Sequence, residues 1–206
     1  MSIKVIVFDF DGTLIDSNQL KYDAYYKLFP SDGFHKEIIT EVLGEIFEES
    51  RYVILKKIVR RVNSLIVNEY ELDNRVQELA TKYNNIVVDG AKYCKEKPGA
   101  EEALESLSKK YKLYLNSVTP ETSLKDIVTY RKWEDFFYDI FGYPNDKASV
   151  LLRIIKKEGL NPGELLVVGD GMSDMDSADK VGCRFFHIIK DGLLVKLVQD
   201  SEKYLG

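Results

Sequence analysis

The stretch Ile3-Lys4-Val5-Ile6-Val7-Phe8-Asp9-Phe10-Asp11-Gly12-Thr13-Leu14 decides the fold. Its first six residues are short, β-branched and almost all apolar, the pattern of a strand buried on both faces of a parallel sheet. The run then breaks into two acids and a glycine. Leu113 to Leu115, Leu165 to Val168 before Gly169-Asp170, and Arg184 to Ile189 repeat the apolar part, and Tyr138 to Phe141 is a further candidate. Helical stripes lie between them: Ala100 to Lys110, Ser149 to Glu158 closed by Gly159, and Ser173 to Val181 closed by Gly182. Strands alternating with helices predict an α/β fold with a Rossmann-like parallel sheet.

Residues 17–95 break that rhythm. They hold amphipathic, helix-length stretches at Gln19 to Phe29, Lys36 to Glu48, Arg51 to Leu65 and Leu72 to Tyr83, with Pro30-Ser31-Asp32-Gly33 as a turn between the first two. The expected organisation is an α/β core from 1–16 and 96–206, re-entered near Lys97-Pro98-Gly99, with an inserted all-α cap over 17–95. No internal repeat or low-complexity tract interrupts it.

Composition narrows the function classes. The chain has 206 residues, 45% hydrophobic and 31% charged, enough to bury a core in one large domain or two small ones. Lys and Arg number 29 against 34 Asp and Glu, a net charge of −5 that argues against a general nucleic-acid or membrane-surface binder. Cys94 and Cys183 show neither a CxxC nor a Cys/His spacing, which suggests no disulfide framework or zinc site and fits a reducing cytoplasm. No apolar run approaches the roughly 18 residues of a membrane span, and Asp9 interrupts the first one too early for a signal peptide.

In open parallel sheets, ligands bind beyond the carboxyl ends of the strands, and the acids of this sequence gather there. Asp9 and Asp11 are two apart, so a backbone that stays extended through them would turn both carboxylates to one side, opposite Phe8 and Phe10. Gly12 lets the chain turn away, and Thr13 brings a hydroxyl and an N–H back. Asp170 follows Leu165 to Val168 in the same way, with Asp174 at the first turn of the next helix. Either piece alone is a strand ending in a turn; both at corresponding strand ends predict one site. Clustered carboxylates need a cation, and hard oxygen ligands with few protein-filled positions describe Mg²⁺. A calcium loop is excluded, because counting from Asp9 puts Leu14 where it needs glycine and Leu20 where it needs glutamate.

Asp9 to Leu14 resembles the first motif of the haloacid dehalogenase superfamily. Gly169-Asp170-Gly171-Met172-Ser173-Asp174, with Ala178 and Gly182 following, resembles its fourth. Pro98-Gly99-Ala100-Glu101-Glu102-Ala103-Leu104 is similar to the helix before the second motif in phosphoglycolate-phosphatase-like members. The resemblance covers 1–16 and 97–206; the cap matches only in position and helical character. It implies that Asp9 is the nucleophile, taking the phosphoryl group as an aspartyl phosphate, and that Asp11 is the general acid and then the base for water. It implies metal ligation by the Asp9 side chain, the Asp11 carbonyl and Asp170, with Asp174 as the second acid of the fourth motif. It puts Ser117 in register as the phosphate-binding hydroxyl, with Thr119 as rival, and Val118 where relatives often carry Asn, leaving a backbone N–H. Lys147 is the cation that balances nucleophile and phosphate, although Ala148 and Ser149 replace the Lys-Pro-x-Pro of many relatives. The phosphate is expected to meet Gly12, Thr13, Ser117, Val118 and Lys147.

The activity so implied is a Mg²⁺-dependent phosphatase of a small phosphorylated metabolite, a monomer or homodimer with neither nucleic-acid nor membrane partners. A phosphomutase of the same fold, β-phosphoglucomutase-like, is the rival, and a non-catalytic binding module retaining the fold is the alternative from another class. Dehalogenase chemistry is disfavoured by Asp11. Arg51, Lys56, Lys57, Arg60 and Arg61 lie on one cap helix and read as a solvated face or as contacts to an anionic substrate. Tyr22, Tyr25, Tyr26, Phe29 and Phe47 read as cap core, Cys183 as a small buried residue, and His35 and His187 as non-catalytic.

Overall fold

The computed structural model describes residues 2–46, 49–63 and 68–206. In chain order, β1 (Val5–Phe8) leads to α1 (Asn18–Tyr26), α2 (Gly33–Ile46), α3 (Arg51–Val62) and α4 (Glu69–Ala91). Then come α5 (Ala100–Ser108), β2 (Lys112–Pro120), α6 (Glu121–Tyr130), β3 (Asp139–Tyr143), α7 (Lys147–Glu158), β4 (Leu165–Gly169), α8 (Met172–Val181), β5 (Arg184–His187), α9 (Leu193–Gln199) and α10 (Ser201–Leu205). Contacts divide the chain into two compact units, Met1–Ser17 with Ala91–Gly206, and Asn18–Gly90.

The first unit is a five-stranded sheet of order β3-β2-β1-β4-β5, parallel at every pairing. The α/β Rossmann-like expectation is met. β1 lies in the middle, all four of its residues buried, with Val5 opposite Lys112 on one side and Leu165 on the other. It begins at Val5 rather than Ile3 because the Ile3 N–H bonds Leu205 O (2.8 Å) and the Lys4 N–H bonds Glu164 O (2.9 Å), outside the ladder. Val5, Val7, Tyr114, Leu165 and Val167 form a buried cluster with Val150, Leu151 and Ile154 of α7.

β2 runs on to Pro120, well past the Leu115 end expected from its apolar run, and carries the buried polar residues Asn116 and Ser117. α6, unmarked in the sequence reading, follows at once and buries Leu124, Ile127 and Val128, an i, i+3, i+4 stripe. α9 and α10 were also unread, while β5 stops at His187, short of Ile189.

The helical unit packs α1 to α4 around Tyr25, Ile39, Val42, Leu43, Ile54, Leu55, Ile58, Leu72 and Leu79. Tyr22, Tyr26 and Phe29 are partly buried against that core, as their spacing predicts. Phe47 and the expected helix ends at Glu48 and Leu65 lie outside the described residues. α4 continues far beyond Tyr83, adding Ile86 and Val87 to the same core. The basic face of α3 is met by acids of its own unit: Lys57 and Arg61 by Glu45, Lys56 by Asp73 and Glu69, and Arg60 by Glu69. Such exposed pairs contribute little each, and this arrangement is the solvated face of the charge-run reading. Among the described residues, no helix is long and apolar enough to cross a membrane.

Glu158 ends α7 beneath the sheet, accepting from the fully buried Tyr114 hydroxyl (2.6 Å) and from Lys112 Nζ (2.6 Å). The bond from Lys112, then that from Tyr114, hold its pKa below the usual carboxylate value. The stabilisation is therefore complete above the ordinary glutamate pKa of about 4.3 and is lost as pH falls through the lower folded value. Glu158→Gln should be less stable than the parent by about 0.5–1 kcal/mol at neutral pH. In urea unfolding at pH 7 and pH 3, the difference should shrink with acid; a difference constant with pH would contradict this account.

Candidate active site

The polar groups of the sheet unit gather at the carboxyl ends of β1, β2 and β4. The Asp9 N–H still bonds Val168 O (2.8 Å), so Asp9 leaves the sheet in line with β1. The chain then folds back, Leu14 N–H bonding Phe10 O and Gly12 N–H bonding Ile15 O, both at 2.9 Å. Gly12 has φ +79°, and a β-carbon there would strike the Asp170 carboxylate. Glycine thus serves both the turn and the close approach of Asp170. The buried Thr13 returns its hydroxyl to Asp170 Oδ1 (3.1 Å).

Carboxylate oxygens of Asp9, Asp170 and Asp174 lie within 4.8 Å of one another. Lys147, the first residue of α7, extends Nζ between two of them, 2.9 Å from Asp9 Oδ1 and 2.6 Å from Asp174 Oδ1. All three partners are buried, Asp174 at 2% exposure. Burial alone would lower the Lys147 pKa, but the Asp9 and Asp174 carboxylates together hold it well above the ordinary lysine value, so the ammonium is charged. Burial, followed by the Asp9 charge, pushes Asp174 up to about 7 against the pull of Lys147. Three carboxylates thus gather beside one ammonium in a largely buried place. Hard oxygen donors in that number fit a small divalent cation such as Mg²⁺.

Asp11 takes hydroxyl partners. Asp11 Oδ1 accepts from Ser17 Oγ and Oδ2 from Thr119 Oγ1, each at 2.7 Å. Ser117 is buried, its Oγ accepting the Thr119 N–H (3.2 Å), while the Val118 side chain is exposed. Of the two candidate phosphate hydroxyls, that of Thr119 is therefore engaged with Asp11.

Two contributors escaped the sequence reading. Asn116 is buried and donates from Nδ2 to the Lys147 carbonyl (3.1 Å), tying β2 to the start of α7; its Oδ1 is buried without a hydrogen-bond partner. An amide inside an apolar strand was the available signal. Ser17 gave none, lying just past the expected core boundary. His187 at the end of β5 has Nε2 3.1 Å from Asp170 O. Cys183 is half-buried, its thiol pushed up to about 11 by burial.

Comparison with known proteins bears on this geometry. Phosphoglycolate phosphatase of Psychrobacter arcticus is 25% identical over 186 residues, covering 85% of this chain and 78% of that protein. Phosphorylated carbohydrates phosphatase of Thermotoga maritima is 26% identical over 202 residues, covering 92% and 88%. Among solved structures, β-phosphoglucomutase from Clostridium difficile superposes with a TM-score of 0.67 at 21% identity, over 98% of this chain and 97% of that one; at such identity the likeness is one of fold. The family model of the haloacid dehalogenase-like hydrolases matches residues 6–188, nearly the whole chain, and includes every residue of the site described above. The chain belongs to the haloacid dehalogenase-like hydrolase family.

Proposed function

We propose that this protein is a Mg²⁺-dependent phosphatase that hydrolyses a small phosphorylated metabolite through an aspartyl phosphate on Asp9. The observation that carries the reading is the buried ammonium of Lys147 spanning Asp9 and Asp174, with Asp170 alongside and a second acid, Asp11, two residues after Asp9. The similarity to two phosphatases, of phosphoglycolate and of phosphorylated carbohydrates, supports it.

Asp9, Asp170 and Asp174, with the Asp11 carbonyl, would hold Mg²⁺, which when bound supplies charge neutralisation for the phosphoryl oxygens. Lys147 orients Asp9 through Oδ1 and adds a fixed positive charge beside the entering phosphoryl group. Asp9 forms the new O–P bond as the ester P–O bond breaks, and Asp11 gives its proton to the departing oxygen. Asp11 then takes a proton from the water that attacks phosphorus, releasing phosphate and restoring Asp9. Phosphoryl transfer is governed mainly by positioning and charge stabilisation, which suits residues fixed at three adjacent strand ends. Ser117 and the backbone N–H groups at Thr13 and Val118 serve the phosphate. Dehalogenation has no use for the acid at Asp11.

Asp9→Asn should lower phosphate release on the order of 10³-fold or more while thermal unfolding stays close to the parent's. Turnover near that of the parent would end this mechanism, as would conversion of a sugar phosphate to its isomer with no phosphate released. Removal of divalent ions with a chelator should stop hydrolysis, and added Mg²⁺ should restore it. Activity indifferent to chelation would remove the metal from the proposal.

A further inference from the structure

Asp11 is held at both oxygens, and the donor on Oδ2 comes from a place that strand periodicity would not supply. The β2–β3 ladder shifts register between Asn116 and Pro120, and Thr119 falls within the shift. Such irregularities re-aim side chains near sites. The neighbouring strand is shaped to accept it: a β-carbon on Gly142 would strike the Thr119 carbonyl and the Glu121 backbone, so only glycine lets that segment close on β3. Glu121 then fastens the segment, its Oε2 accepting the Gly142 N–H (3.3 Å) and Asn145 Nδ2 (2.9 Å). The result of this construction is one contact, from Thr119 Oγ1 to Asp11 Oδ2.

We propose that Thr119 is a positioning residue for the general acid, fixing the Asp11 carboxyl so that its proton is presented to the leaving oxygen. The inference rests on the phosphatase reading given above. A carboxylate offers about four lone-pair sites. The Ser17 and Thr119 hydroxyls occupy one on each oxygen and so set the plane of the group. In the step concerned, Asp9 forms its bond to phosphorus, the ester P–O bond breaks, and the Asp11 proton passes to the departing oxygen.

An acid's placement matters in proportion to the leaving group's need for a proton. A strongly basic alkoxide needs one, whereas p-nitrophenolate leaves without. The test is therefore kcat/KM, which reports the first phosphoryl transfer, over a panel from p-nitrophenyl phosphate to simple alkyl phosphates, for the parent, Thr119→Val and Thr119→Ser. Thr119→Val should lose about 10- to 100-fold on alkyl phosphates and less than about 3-fold on p-nitrophenyl phosphate, on the same reasoning. Thr119→Ser, which keeps the hydroxyl, should recover most of the loss.

Equal losses across the panel would overturn the inference, pointing to a structural or phosphate-binding hydroxyl, and so would no loss at all. If Thr119→Val fails to fold, Thr119→Ala carries the same comparison. A folded parent that hydrolyses no member of the panel with Mg²⁺ overturns the phosphatase reading and this inference with it. A parent active throughout, with variants that do not discriminate between leaving groups, overturns this inference alone.

Discussion

The structure depends most on the ammonium of Lys147 between the carboxylates of Asp9 and Asp174. Removing a lysine and two aspartates from water is costly, and the arrangement persists only because each charge meets its opposite at hydrogen-bond distance. Taking away Lys147 would leave both carboxylates buried without the ammonium they share. The three groups come from regular elements: Asp9 continues the central strand, Asp174 lies in the first turn of α8, and Lys147 opens α7, where Asp146 accepts the Ser149 N–H (2.9 Å) and Asn116 Nδ2 donates to the Lys147 carbonyl. The cluster is thus built from residues far apart in the chain that the parallel ladder brings to one edge.

The same geometry gives the two acids of the proposed mechanism different partners. In that proposal the nucleophilic carboxylate must stay ionised and aimed, and Asp9 Oδ1 has the Lys147 ammonium at 2.9 Å. The acid/base must carry a proton through the cycle, and the Asp11 carboxyl accepts from the hydroxyls of Ser17 and Thr119.

Much of this was legible in the sequence because an apolar run that breaks into acids marks both a strand and its functional end. Asp9, Asp170 and Asp174 were readable that way, and Lys147 through the order of the motifs. Thr119 and Asn116 were harder, for a physical reason. Reading which face a strand residue takes depends on counting by two, and the register shift inside β2 breaks the count. α6 was hidden because Pro120 and Ser/Thr-rich residues resemble a turn, although they stand where a helix can begin. The far end of α4 was obscured by its polar composition; its length follows from the core it covers in the helical unit.

The two connections around the helical unit run side by side within the sheet unit. Asp16 N–H bonds Lys95 O (2.8 Å), Lys97 N–H bonds Leu14 O (2.9 Å), and Ile15 faces Glu96 in an antiparallel bridge. To the sheet, everything from Asn18 to Gly90 is therefore a loop whose ends are already joined. The entropy of closing a loop rises only with the logarithm of its length, about 0.6 kcal/mol for each doubling. An insertion at this point can grow, shrink or be exchanged at little entropic cost to the sheet unit. The seam is a socket, and a fold with one can change what it recognises without relearning how it reacts.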